Sequence, residues 1–160
     1  KQKFISTWGE LGCNWGICRT MGHIHAVLLI SPKPKSADDI MEELQISRGN
    51  ANMNLRALLD WGLVYRKSIA GDRKDYFIAE KDLWTVFKKT LSKRKQRELT
   101  PMLDMVKSVS SIEGTCASSN EFKKVVNDLQ MISGAAEKSL DTLLKSDSNL
   151  LLNALVKVLR

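Results

Sequence analysis

Only one stretch of this chain reads as a β-hairpin, and most of the rest carries a helical period. The runs LVYRKSI (63–69) and KDYFIA (74–79) are rich in β-branched and aromatic residues, and AGDR between them is a turn signal. Elsewhere apolar residues recur at three and four, the spacing of one helix face. The expected class is therefore mainly α with a small β-hairpin.

Around the hairpin the helices can be placed by their ends. Trp8, Leu11 and Trp15 mark a first helix over 4–16. A second is expected from Arg19 or Thr20 to Ile30, with Met21, Ile24 and Leu28 on its buried side. SPKPK (31–35) breaks the run, because two prolines in four residues cannot continue a helix. Ser36 with Asp39 three residues on resembles a capping box, opening a short helix with Ile40, Met41 and Leu44. Ser47 caps the next, whose apolar set is Ala51, Leu55, Leu58 and Leu59, and Gly62 is placed to end it.

Beyond Glu80 the period is helical throughout. Trp84, Phe87 and Leu91 form a stripe that meets Thr100-Pro101, where either a new helix is capped or one long helix is kinked. Met102, Val106 and Val109 continue the face, and IEGTCASSN (112–120) reads as a linker. The helix after it carries Phe122, Val125, Leu129, Ile132, Ala136 and Leu143, close to a heptad seam. DSN (147–149) is expected to cap a last helix with Leu151, Leu155 and Val158.

Composition is ordinary for a globular chain, 43% hydrophobic and 27% charged. AVLLI (26–30) is far short of the ~18 apolar residues of a spanning helix, so no membrane partner is expected. Three cysteines, Cys13, Cys18 and Cys116, do not read as a disulfide framework, which favours a cytoplasmic protein. The net charge of +7 is unevenly placed: residues 81–97 hold seven basic side chains against Asp82 alone. The run Lys88 to Arg97 reads either as a phosphate-facing patch or as a solvated helix face.

Helix, short helix, three-residue turn, helix, two-stranded hairpin is the order of a winged helix-turn-helix. Its second helix opens ISRGNANMNLR, although Asn and Gly are poor helix formers. In such a domain those first turns enter the major groove of double-stranded DNA, so their side chains serve bases and phosphates rather than propensity. Arg48, Asn50, Asn52 and Arg56 are the candidate base contacts, since Asn pairs bidentately with adenine and Arg with guanine. Ser47, Gly49, Lys67, Arg73 and Lys74 are the candidate backbone and wing contacts, with Asp72 holding the wing turn.

The stretch SADDIMEELQISRGNANMNLRALLDWGLVYRKSIAGDRKDYF resembles the DNA-binding core of the GbsR/MarR-type transcriptional regulators. It looks closest to the branch that represses glycine-betaine synthesis and osmoprotectant-uptake genes. FISTWGELGCNWGICRTMGHIHAVLLISPKP is similar to that branch's N-terminal signature, W-G-x-x-R-T-x-G-x-I before a P-x-P turn. Cys18 departs from it, standing where Asn or a similar polar residue is expected. The resemblance covers residues 4–87 and implies a homodimer on an inverted-repeat operator, with repression relieved by a small ligand or a change in conditions. The division expected is 1–35 for dimer scaffold and first core helix, 36–79 for helix-turn-helix and wing, and 80–160 for a helical dimerisation region.

Some relatives respond to choline, and tryptophan faces hold quaternary ammonium groups by cation–π attraction. Trp8, Trp15 and Trp84 are therefore the candidate effector pocket, against core or interface packing as the plainer account. Cys13, Cys18, His23 and His25 match no common zinc spacing, so no metal or cofactor is expected; buried thiols and one surface histidine account for them better. No nucleophile–base–acid arrangement or phosphate loop appears, which speaks against an enzyme. The alternative from another class is a winged-helix adaptor whose seam at Phe122 to Leu143 binds a foreign helix. An adaptor has no need of a polar, basic recognition helix and wing.

Overall fold

The computed structural model describes residues 1–110 and 117–147. The chain divides into two compact units, residues 1–89 and 90–160.

In the first unit, α1 (Gln2–Asn14) and α2 (Arg19–Ile30) cross closely. Gly9 and Gly22 permit this: a Cβ on Gly22 would lie 2.9 Å from the Cα of Gly9, and one on Gly9 would collide with the His23 ring. The first helix ends two residues earlier than its period suggests. Trp15 lies past its end, ahead of Gly16 at φ +75°.

α3 (Ala37–Leu44) opens with the expected capping box: Ser36 Oγ accepts from the Asp39 amide, and Asp39 Oδ2 accepts from the Ser36 amide. α4 (Arg48–Asp60) is capped by Ser47, whose Oγ accepts from the Asn50 amide. Between them the turn passes through Gln45 in the left-handed region at φ +51°. Gly62 follows α4 at φ +67°, a conformation open to glycine without a Cβ clash.

β2 (Val64–Lys67) and β3 (Tyr76–Ala79) form the hairpin. A third strand was not visible in the sequence: β1 (Lys35–Ser36) pairs antiparallel with β3, giving the order β1-β3-β2. The two residues are too few to show an alternation, and they join the end of the proline breaker to the cap of α3. Breaker and strand coexist because the segment is already extended.

Ile24, Leu28, Ile40, Leu55, Leu58, Leu63, Val64, Phe77 and Val86 form one core. It joins α2, α3, α4, the hairpin and the start of α5 (Leu83–Arg94). Each buried aliphatic side chain contributes roughly 1.5–3 kcal/mol. The Lys81 ammonium donates to the carbonyl oxygens of Leu28, Leu29 and Ser31 at 2.6–2.8 Å, satisfying the end of α2.

In the second unit a π-turn (Lys95–Leu99) runs directly into α6 (Thr100–Ser108). Of the two readings of Thr100-Pro101, continuity holds. The Thr100 hydroxyl donates to the Lys95 carbonyl instead of capping a new helix, and the widened turn accommodates a proline that lacks its amide donor. α7 (Ala117–Lys145) begins inside the expected linker, so Ser118, Ser119 and Asn120 are helical. The rest of that linker and the expected last helix lie outside the described residues.

Candidate nucleic-acid interface

α4 sorts its residues by face. Ala51, Leu55 and Leu58 turn inward, while Arg48, Gly49, Asn52, Met53 and Arg56 are exposed. The three asparagines separate. Asn54 is buried, and its Nδ2 donates to the Asn50 carbonyl at 2.8 Å and to Asn50 Oδ1 at 2.7 Å. Asn50 is half-buried, with its amide oxygen occupied by Asn54, and only Asn52 of the three is exposed. One cause of the asparagine-rich opening is thus a local polar pair, since a buried carboxamide must find partners.

The wing connects β2 and β3. Asp72 Oδ1 accepts from the Lys74 amide and Oδ2 from the Tyr76 hydroxyl, so it holds the turn as expected. These bonds, that of Tyr76 foremost, keep the Asp72 carboxyl below the usual range. Lys67, Arg73 and Lys74 are exposed. At the wing's base the Tyr65 hydroxyl donates to Glu80, and Lys89 Nζ donates to that hydroxyl and to the Gly62 carbonyl. Asp38, in the first turn of α3, accepts from Arg48 Nη2 at 3.1 Å and from Lys74 Nζ at 3.2 Å.

Much of the basic run has internal partners. Lys88 lies over the Trp84 ring at 5.9 Å, Lys89 serves the wing base, Arg94 pairs with Glu98, and Lys95 with Asp141 and Glu137. The run is therefore neither a uniform phosphate patch nor a bare solvated face.

The tryptophans fall into two groups. Trp84 stacks on Phe87 and Trp15 meets Phe87 edge-on, whereas Trp8 stacks on Phe4 and donates from Nε1 to Nδ1 of His25 at 3.2 Å. Burial, with the Lys81 charge as a smaller cause, holds His25 down to about 4. The thiols correct the sequence reading: Cys13 and Cys18 are exposed, and the buried group of the cluster is His25. Cys13 lies near the end of α1 and Cys18 precedes α2, where the helical period no longer dictates burial. Among the described residues no three His, Cys, Asp or Glu side chains gather as metal ligands. No helix among them is long and apolar enough to cross a membrane.

Met53, Asp38 and Asn54 are the neighbours that sequence reasoning missed. A helical projection finds Met53, because 49, 52, 53 and 56 share one face. For Asp38 only its i+10 relation to Arg48 is near in sequence, and no local pattern carries it.

Residues 19–75 match the model of the MarR family. The HTH-type transcriptional regulator MmpR5 of Mycobacterium tuberculosis is 29% identical over 76 residues, 47% of this chain and 46% of that protein. The HTH-type transcriptional repressor GbsR of Bacillus subtilis is 28% identical over 85 residues, 53% of this chain and 47% of its own length. The chain thus spans just under half the length of these relatives, which are regulators and not enzymes. A crystal structure described as a transcriptional regulator matches at TM-score 0.66 and 17% identity, covering 89% of this chain and 94% of the other, a likeness of fold. Residues 19–75, which build much of the winged helix-turn-helix, are thus similar to the MarR family, and about half of the chain is similar to HTH-type transcriptional regulators, GbsR among them.

Proposed function

We propose that this chain is a sequence-specific double-stranded DNA-binding transcriptional regulator, acting as a homodimeric repressor on an inverted-repeat operator. The observation that carries the reading is the outward face of α4, where Arg48, Asn52 and Arg56 stand exposed on a helix capped by Ser47. In this reading Asn50, Asn52 and Arg56 contact bases, Asn50 through the amide nitrogen that Asn54 leaves free, while Arg48, a base-contact candidate in the sequence, shares Asp38 with Lys74 and turns to the phosphate backbone. Ser47, Gly49, Lys67, Arg73 and Lys74 position the domain on the backbone.

Residues 36–79 are the reading head, and residues 1–35 and 80–160 supply the dimer scaffold, setting half-sites about one helical turn (~34 Å) apart. Exposed Phe122, Val125, Leu129 and Ile132 on α7 support a second copy as the partner. A small effector, of which a quaternary ammonium compound is the leading class, shifts the angle between heads and so the affinity. Its binding group is the Trp15–Phe87–Trp84 cluster, with Trp8 in a separate supporting pair.

Selection from a random duplex library at moderate salt tests the reading. Enrichment of an inverted repeat is expected, with half-site spacing reporting the scaffold. Retention without enrichment reduces the activity to phosphate contacts. Failure to retain DNA, with and without choline or betaine, overturns the reading.

A further inference from the structure

We propose that Asp38 occupies the place of a DNA phosphate in the free protein and sets how strongly the domain holds DNA of the wrong sequence. The inference rests on the DNA-binding reading above. One carboxylate gives one oxygen to Arg48 and the other to Lys74, so it ties α3, the first residue of α4 and the wing together. A guanidinium and an ammonium converging on one anion is the arrangement a phosphate receives.

The contact does little for the fold. Side-chain exposure is 48% for Asp38, 72% for Arg48 and 59% for Lys74, and exposed pairs of this kind add little stability. Nor does α3 need Asp38 as a cap, because Ser36 and Asp39 already close its N-terminus. The effect falls instead on association. While Asp38 holds both cations, an incoming phosphate must displace a carboxylate that remains beside it as a like charge. Non-operator DNA, held through phosphates alone, loses part of its attraction. An operator offsets the same loss with base contacts made by Asn52 and Arg56. Asp38 is thus a positioning and discriminating residue that acts through Arg48 and Lys74.

The test measures binding of the selected operator and of an unrelated duplex across a salt series. The proteins are wild type, Asp38→Asn, Asp38→Glu and Glu42→Gln. Glu42 is exposed one turn along the same helix, so its variant removes an equal charge without touching the two cations. Asp38→Asn should bind the unrelated duplex about three- to tenfold tighter. Its slope of log affinity against log salt should be steeper by about 0.9, one net charge. Operator affinity should rise less, narrowing the ratio between the two duplexes. Asp38→Glu should stay near wild type, and Glu42→Gln should shift binding by less than half as much as Asp38→Asn. Equal shifts in Asp38→Asn and Glu42→Gln would reduce the effect to diffuse charge and overturn the proposal, as would an unchanged slope in Asp38→Asn. If wild type binds neither duplex, the DNA-binding reading fails and takes this one with it; binding with unchanged discrimination sinks this one alone.

Discussion

α4 and α7 are both amphipathic, yet they sort their residues in opposite ways. In α4 Leu55 and Leu58 are almost wholly inside, at 2% and 1% exposure, Leu59 is half-buried, and the outward face is polar apart from Met53. In α7 the residues that go inside include Val126 and Ser133, whereas Phe122 is 49% and Ile132 62% exposed. A helix with its apolar side chains inside has found its packing partner within the chain. A helix that shows a stripe of large apolar side chains presents the kind of face that a partner surface covers. The winged-helix core is closed among the described residues, and α7 is the element on which the proposed second copy would dock.

That contrast can be broken in four ways, in descending order of effect on the winged-helix core. Leu58→Ala should cost about 3 kcal/mol, read by urea unfolding through the buried Trp61. A loss below about 1 kcal/mol would mean that the core is not closed at α4.

Acid should weaken the same unit through His25. Its folded pKa of about 4 lies below the ordinary 6.5, so between those values the unfolded chain binds the extra proton. This contribution to stability is complete above pH 6.5 and falls with pH, by about 2 kcal/mol at pH 5 and about 3 kcal/mol in all. His25→Leu should flatten the dependence of unfolding free energy on pH between 5 and 7, and an unchanged slope would assign that dependence elsewhere.

Ser47→Ala removes the cap of α4 and should cost about 1 kcal/mol of stability, seen as a lower melting temperature. The smallest effect on the core, within about 0.5 kcal/mol, is expected from Phe122→Lys with Ile132→Lys. Light scattering should show this pair of changes converting a dimer to a monomer. Were the winged-helix core to melt earlier instead, the two regions would not be separable as drawn.

Much of the winged-helix unit was legible because its signals are local. Ser36 with Asp39, Ser47 with the Asn50 amide, and Gly62 after α4 all act within three or four residues. The hairpin announces itself by residue type around a turn. Arg48, Asn50, Asn52 and Arg56 were singled out by their place in the first turns of the second helix, and of them Arg48, Asn52 and Arg56 are exposed while Asn50 is half-buried; the apolar seam of α7 followed from its period. Less legible was which polar residue would be taken inward. Asn50, Asn52 and Asn54 look alike as letters, yet one is buried, one is its acceptor and one is free. Cys13 and Cys18 were expected inside because thiols are commonly buried, but both lie near helix ends and are exposed.

The sequence by itself determined the helix ends marked by Ser36, Ser47 and Gly62, where the chain turns back as a hairpin, and which helix carries its polar residues outward. Each of these depends on backbone conformation and hydrogen bonds over a few residues, which residue type dictates. Only the tertiary structure decided that a two-residue strand at the end of the proline breaker joins the hairpin and that Gly9 and Gly22 let α1 and α2 meet. It alone brought Lys74, 36 residues distant, to the carboxylate that also holds Arg48. Contacts at that separation depend on how packed elements are oriented, a property of the whole core that no short window of residues contains.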